Sequence, residues 1–359
     1  MQSITTQLTA LHLGAPSTAD LRTATVAGAE LRKSDVVPAV DEDLADFILR
    51  LAARCDMGGR AAAADRSIHE TPRLDRWSVL RPLSSGGFGN VYLARDARGR
   101  RAALKVLRGD RTEDDACVES FATEAAALEL LRHRGVPALL DSGTTEDGLP
   151  YVAMRFVVGR TLSAVAAEWR KHRSSRRTRL LRLAEGVVAA GRIVAEAHDL
   201  GVLHLDLKPD NILMSGTGRT TVIDWGLARL PQAATRRGDD TSTFGAGCND
   251  ATAPRCAGTP AYLSPERLRT ATWQPSVVDD VYSLGVTLWR VVAGRLPLGA
   301  ASGNIERTVA GLEVDDHTSL TAGRLLAVAA RAMSPARADR PQSAAAFSDA
   351  VEQALGTSG

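Results

Sequence analysis

The sequence predicts an α+β chain of two lobes, a small strand-rich one followed by a larger helical one, preceded by an N-terminal extension. Three observations predict it. Short alternating apolar stretches crowd residues 77–157, helical spacing dominates after residue 160, and no dense apolar run is found before residue 74. With 359 residues, 44% of them hydrophobic and 24% charged, the chain can bury a large core and has the composition of an ordinary globular protein.

The extension comprises residues 1–73, rich in Thr and Ala, with Phe47 as its one aromatic residue. One helix stands out in it. Asp41-Glu42-Asp43-Leu44 supplies N-cap and first-turn carboxylates, and Leu44, Phe47, Ile48, Leu51 and Cys55 follow at helical spacing. Three readings of residues 41–55 are open: a helix packed on the main domain, a partner-binding or autoinhibitory segment, or an isolated helix. Residues 56–73, with Gly58-Gly59, the Ala61 to Ala64 run and Pro72, read as a linker.

The strand-rich lobe, 74–157, is expected to contain strands at 77–83, 91–95, 102–107 and 151–157, with Arg98-Gly99 as a hairpin signal and a helix near 115–133. In the second lobe, 158–356, helices are expected at 180–200, 277–293, 320–333 and 344–354. The run Arg170 to Arg179 carries six cationic residues and His172 and reads as a solvated link between helices, with an acidic substrate or partner as the alternative.

Charge and hydropathy narrow the function classes. Forty-four basic against forty-two acidic residues give a net charge of +2, and no interleaved aromatics accompany the basic run, so a nucleic-acid partner is not expected. No stretch approaches the roughly 20 apolar residues of a membrane span, and the start lacks a signal-peptide pattern. Cys55, Cys117, Cys248 and Cys256 have neither metal-site nor disulfide-framework spacing. A reducing cytoplasm is the expected compartment.

Several strings carry chemistry. Gly86-Gly87-Phe88-Gly89-Asn90-Val91 joins two strands, and its glycines let backbone N–H groups approach a phosphate chain. Lys105, inside the apolar strand Ala102 to Leu107, needs a partner, and Glu124 on the next helix is the evident carboxylate. His204-Leu205-Asp206-Leu207-Lys208-Pro209-Asp210-Asn211 gathers a carboxylate, an ammonium and a carboxamide, and Val222-Ile223-Asp224-Trp225-Gly226 delivers another carboxylate at a glycine turn. Asp206 can accept a hydroxyl proton, Lys208 can neutralise a transferring phosphoryl group, and Asn211 with Asp224 can supply hard oxygen ligands for Mg²⁺. Only four lysines stand among forty arginines, so a Lys at these positions marks a need for a compact ammonium.

In these strings the sequence resembles the eukaryotic-type (Hanks) Ser/Thr protein kinase family, in its bacterial branch, over about residues 76 to 354. The resemblance implies a bilobal protein-kinase-like fold and transfer of the γ-phosphoryl of Mg-ATP, with Mn²⁺ as an alternative ion, to Ser or Thr hydroxyls of a protein substrate. Gly86, Gly87, Phe88, Gly89 and Val91 would belong to the nucleotide-covering loop, and Lys105 paired with Glu124 would hold the α- and β-phosphates. Asp206 would be the catalytic base, Lys208 the γ-phosphate contact, and Asn211 and Asp224 the metal ligands. Val91, Ala103 and Leu213 would sandwich the purine; Met154 would guard the back pocket, and the backbone of Arg155 and Val157 would bond adenine.

Gly258-Thr259-Pro260 through Ser264-Pro265-Glu266 is similar to the segment closing the activation loop, which would set Thr259 beside Asp206 and Lys208 where the substrate hydroxyl docks. Asp280 would hold the catalytic-loop backbone, and Arg340 would pair with Glu266. Thr241, Ser242, Thr243 and Thr252 are candidate autophosphorylation sites. Four residues depart from the family pattern: Ser84 for the first loop glycine, Leu205 for the arginine that binds activation-loop phosphate, Trp225 for Phe and Ser264 for Ala. Activity is therefore expected not to depend on that arginine. A pseudokinase that only binds nucleotide and a kinase-like small-molecule phosphotransferase are the rival readings.

Overall fold

The computed structural model describes residues 72–86, 89–132, 135–169, 176–231, 258–269, 273–297 and 316–356. Gly87, Phe88, the 41–55 helix, the loop hydroxyls 241–243 and 252, residues 170–175 of the basic run, and Cys55, Cys248 and Cys256 lie outside them.

Five strands form the first lobe's sheet: β1 (Trp77–Ser85), β2 (Gly89–Asp96), β3 (Arg101–Leu107), β4 (Leu139–Thr144) and β5 (Pro150–Arg155). They lie in the order β1-β2-β3-β5-β4, each neighbouring pair antiparallel. Alternation along β3 sorts its side chains. Ala102, Leu104 and Val106 pack with Trp77, Ala94 and Ala153 on one face, which turns Ala103, Lys105 and Leu107 to the other. That second face receives helix α1 (Asp115–Leu130), through Phe121, Ala125 and Leu128. The helix begins where Asp114 accepts the N–H groups of Ala116 and Cys117.

The chain leaves β5 through residues 156–159 and enters a three-stranded sheet, β6 (Arg160–Thr161), β7 (Ile212–Met214) and β8 (Thr220–Val222). The rest of the second lobe is helical: α2 (Leu162–Trp169), α3 (Arg176–Asp199), α4 (Pro265–Arg269), α5 (Val277–Ala293), α6 (Asp316–Ala332) and α7 (Ala344–Gly356). Helix α5 is buried along nearly its whole length, starts in a Ser276/Asp279 capping box and ends at Gly294, whose φ of 74° is a left-handed cap. Gly285 permits its close approach to α6, since a Cβ there would lie 2.7 Å from that of Ala332.

The lobes and their textures agree with expectation, and the departures are local. Strand β4, Leu139-Leu140-Asp141-Ser142-Gly143-Thr144, is not among the expected strands. It forms because Asp141 is fixed by Trp77 Nε1 at 3.0 Å, by Tyr151 OH at 3.1 Å and by Arg76. Helix α2 is likewise an addition, and β5 ends at Arg155 rather than at Val157. There the N–H of Arg155 turns to the Ala138 carbonyl, 2.8 Å away.

Candidate active site

The cleft side of the first lobe is organised around Lys105, whose side chain is almost wholly buried. Its Nζ lies 2.6 Å from Glu124 Oε2 and 2.8 Å from Asp224 Oδ1, with the Phe121 ring beneath it at 5.5 Å. One ammonium thus joins β3, α1 and the turn after β8. Burial by itself would lower this lysine, but the Asp224 and Glu124 carboxylates outweigh it, and the ammonium is held above the ordinary lysine range. The two carboxyls diverge. Lys105 holds Asp224 below the usual carboxylate range, whereas burial pushes Glu124 up against the pull of the same ammonium.

Across the cleft, the segment 204–211 turns tightly enough to bring the side chains of Asp206, Lys208 and Asn211 together. Lys208 Nζ donates to Asp206 Oδ2 at 2.6 Å and to Thr259 Oγ1 at 2.7 Å, and the Thr259 N–H donates to Asp206 Oδ1 at 3.0 Å. Asn211 Nδ2 donates to the Asp206 carbonyl at 2.8 Å and to Oδ2 at 3.2 Å. Both of those partners accept only, so the amide's orientation is determined and its oxygen faces the other way.

The backbone here is held from below by α5. The carboxylate of Asp280, fully buried, accepts the N–H of His204 and that of Leu205, each at 2.8 Å, and sits 2.8 Å from His198 Nε2. Burial alone would raise this carboxyl, but the His198 contact, the His204 ring and the amide bonds hold it below its usual range. Leu205 and Asp224 have φ of 62° and 65°, the only non-glycine residues with positive φ among those described. Such conformations cost about 1–2 kcal/mol each and persist only where surrounding bonds over-determine them.

Further ties complete the frame. Glu266 takes a two-pronged bond from Arg340, at 2.7 and 2.8 Å, and these bonds hold its carboxyl below the usual range although burial opposes them. Ser264 Oγ donates to Asp279 at 2.6 Å. Trp225 is fully buried, donates to the Val222 carbonyl and lies with its ring tilted against that of His204, centroids 4.5 Å apart.

Among the remaining expected residues, Gly86 closes the β1–β2 turn by donating to Gly89 O at 2.9 Å. Gly89 is required by space, because a Cβ would lie 2.6 Å from the Val106 carbonyl. Ser84 pairs with Val91 inside the β1–β2 ladder. Val91 pairs with Lys105 and Ala103 with Met154, whereas Leu213 belongs to the second lobe, in β7 between Thr161 and Thr221. The N–H of Arg155 is spent on Ala138, so only its carbonyl could serve a ligand, and Val157 follows in the crossing segment.

Two contributors were not expected from sequence. Ser120 Oγ on α1 donates to the Gly226 carbonyl at 2.8 Å, and Arg267 Nη1 on α4 donates to the Leu205 carbonyl at 2.6 Å. Neither has a sequence signal, because each partner is a backbone carbonyl.

The donor set suits a divalent ion of the Mg²⁺ kind. Asp224, 42% exposed at its side chain, and the Asn211 amide oxygen are hard oxygen donors, too few to enclose an ion and hence compatible with one shared with phosphate oxygens. The ammonium of Lys105 stands beside them as a second source of positive charge.

The family model for the protein kinase domain matches residues 77–336. Among curated proteins the chain is 35% identical to the serine/threonine-protein kinase pkn2 of Myxococcus xanthus, over 78% of this chain and 32% of the relative. It is 31% identical to the serine/threonine-protein kinase PrkC of Bacillus subtilis, over 63% of this chain and 32% of the relative. The chain thus spans about a third of the length of these two relatives. Among solved structures, the PknI kinase domain of Mycobacterium tuberculosis superposes with a TM-score of 0.58 at 22% identity, covering 81% of this chain and 100% of that one. By its matched domain and by the relatives it aligns with, the chain belongs to the protein kinase family, in its bacterial serine/threonine branch.

Proposed function

We propose that residues 74–356 are a protein kinase domain, with lobes 74–157 and 158–356, and that it transfers the γ-phosphoryl group of ATP to Ser or Thr hydroxyls of proteins. Residues 1–73 are then an extension to that domain. The observation that carries the reading is the pair of facing clusters, Lys105 with Glu124 and Asp224, and Asp206 with Lys208, Asn211 and Thr259.

Asp206 serves as the base. Its carboxylate is oriented from three sides, by Lys208, Asn211 and the Thr259 amide, and takes the proton of the attacking hydroxyl. Lys208 bonds a hydroxyl in this structure, that of Thr259, so its ammonium reaches the place where an acceptor Ser or Thr would lie and can neutralise charge there. Lys105 holds phosphate oxygens, and Glu124 fixes its ammonium. Mg-ATP, when bound, supplies the transferable group and the ion's charge; Asn211 and Asp224 would hold the ion, and Mn²⁺ would meet the same oxygen donors. Gly86 and Gly89, with Gly87 and Phe88 between them, cover the phosphates, and Val91, Ala103, Met154, Leu213 and the backbone of Arg155 and Val157 hold the base of the nucleotide. Positioning and charge neutralisation do most of the work in such a transfer.

Leu205 offers no charge to an activation-loop phosphate, so turnover does not depend on that contact. Among the described residues no helix is long and apolar enough to cross a membrane, and the cytoplasm, which supplies ATP and keeps thiols reduced, suits this reading. The test is transfer of labelled γ-phosphate from Mg-ATP to the chain itself and to a generic basic protein, with Asp224→Asn as the blank. Label above the blank on protein hydroxyls is expected. Nucleotide binding with no label in either acceptor would refute the reading in favour of a binding module.

A further inference from the structure

The left-handed backbone at Leu205 needs support on both sides of its peptide units, and only one side is supplied by α5. Asp280 takes the N–H groups of His204 and Leu205 from below. The carbonyl of Leu205 is met from the opposite direction by Arg267, on the short helix that follows the 258–264 segment. Its guanidinium lies 4.7 Å from the Trp273 ring, the residue is only 6% exposed, and the bond to Leu205 O is 2.6 Å long. Helix α4 is itself immobilised one residue earlier, where Glu266 is clamped by Arg340. The same stretch of chain places Thr259 on Asp206 and Lys208. A buried, charge-assisted bond therefore joins the segment that would receive a substrate hydroxyl to the backbone that presents the base.

We infer that Arg267 is a positioning residue, which holds the Leu205–Asp206 backbone in its working conformation from α4 and thereby makes the assembly of the catalytic loop independent of phosphate on residues 232–257. The inference rests on the kinase reading for its consequence, but the tie itself is a structural statement. A guanidinium at position 205 would need an external phosphate to couple the loop to the segment. Arg267 makes that coupling with a backbone carbonyl, which is present in every phosphorylation state.

The experiment uses the full chain, with Arg267→Met, which keeps the aliphatic stem on Trp273, and Arg267→Lys, which restores one donor. Hydrogen exchange is read at the amides of residues 204–206 and 259. With Met these amides should exchange about ten- to hundredfold faster, the equilibrium worth of one charge-assisted bond, while the amides of α3 and α5 keep their rates. The turnover number should fall by a similar factor, with the KM for ATP changed less than about twofold, and Lys should recover part of both losses.

Phosphatase treatment of the unaltered chain should leave turnover unchanged. Exchange at 204–206 that is unchanged in the Met variant, or that rises equally through α3 and α5, would overturn the assignment. So would a large loss of turnover on dephosphorylation. If the unaltered chain transfers no phosphate while exchange responds as expected, the kinase reading fails and the positioning role stands.

Discussion

Replacing Lys105 by Met removes the one cation between two carboxylates, and the structure says which carboxylate suffers. Asp224 keeps 42% of its side chain in solvent and can be rehydrated; Glu124, at 1%, cannot. At neutral pH the variant has two options for Glu124, to bury a bare charge or to take up a proton. Burying the charge would cost more, so the proton sets the ceiling. Raising a carboxyl from an ordinary value near 4.3 to about pH 7 costs roughly 3–4 kcal/mol, at about 1.4 kcal/mol per unit.

The pH dependence then has a definite sign. Glu124 in the folded variant titrates above its unfolded value, so the folded state binds the extra proton and stability rises as pH falls toward the ordinary carboxylate range. Urea unfolding at about pH 7 and about pH 5.5 should show a deficit of roughly 3–4 kcal/mol that shrinks by about 2 kcal/mol at the lower pH. Adding Glu124→Gln should remove most of the deficit and its pH dependence together, although neither variant transfers phosphate. An equal deficit at both pH values, or no rescue by Gln, would refute the idea that an uncompensated Glu124 is what Lys105 prevents.

Other perturbations follow from close contacts. In Gly226→Ala the new Cβ would lie 2.6 Å from Ser120 Oγ, the next neighbour being Lys105 Nζ at 3.5 Å. Turnover should fall about tenfold or more, and Ser120→Ala in the same chain should restore part of it by removing the obstructing oxygen, the remainder being the lost bond of that hydroxyl to the Gly226 carbonyl; a double variant no better than the single one would exclude this clash as the cause. Gly285→Ala drives a methyl to 2.7 Å from the Ala332 Cβ and 3.0 Å from the Ala329 carbonyl, so it should cost about 1–3 kcal/mol in urea unfolding without altering the KM for ATP. The combined change of Thr241, Ser242, Thr243 and Thr252 to Ala should leave most phosphate transfer intact, and its abolition in a folded chain would count against a phosphate-independent loop.

Much of the site was legible because its chemistry is concentrated in sequence. Asp206, Lys208 and Asn211 lie within six residues, and a turn that short leaves few ways to arrange them. Lys105 and Glu124 were legible for a different reason: a lysine in an apolar strand demands a partner, and helix α1 offers a carboxylate on the face that also carries Phe121 and Leu128. The strands β1, β2, β3 and β5 declared themselves by alternation. What escaped was whatever depends on tertiary partners. Strand β4 contains an Asp, a Ser and a Gly, all turn formers locally, and is a strand because Trp77 and Tyr151 reach Asp141. Ser120 and Arg267 escaped because backbone carbonyls, their partners, are the same at every residue.

The two strained residues explain how lobe and site depend on each other. Leu205 and Asp224 each take a left-handed conformation at a carboxylate of the candidate site, the first preceding Asp206 and the second carrying its own. Each is held by groups from both directions: Leu205 by Asp280 on α5 and Arg267 on α4, and the 224–226 turn by Lys105 on β3 and Ser120 on α1. The holders of Leu205 belong to the second lobe and those of the turn to the first. Displacing α1 from the sheet would therefore release the Gly226 carbonyl from Ser120 and Lys105 from Glu124, while Lys105 on β3 would keep its bond to Asp224 and Leu205 its ties to α4 and α5. On the proposed kinase reading, a change transmitted through α1 would act beside the metal ligand Asp224, and one transmitted through residues 258–269 would act on the base Asp206.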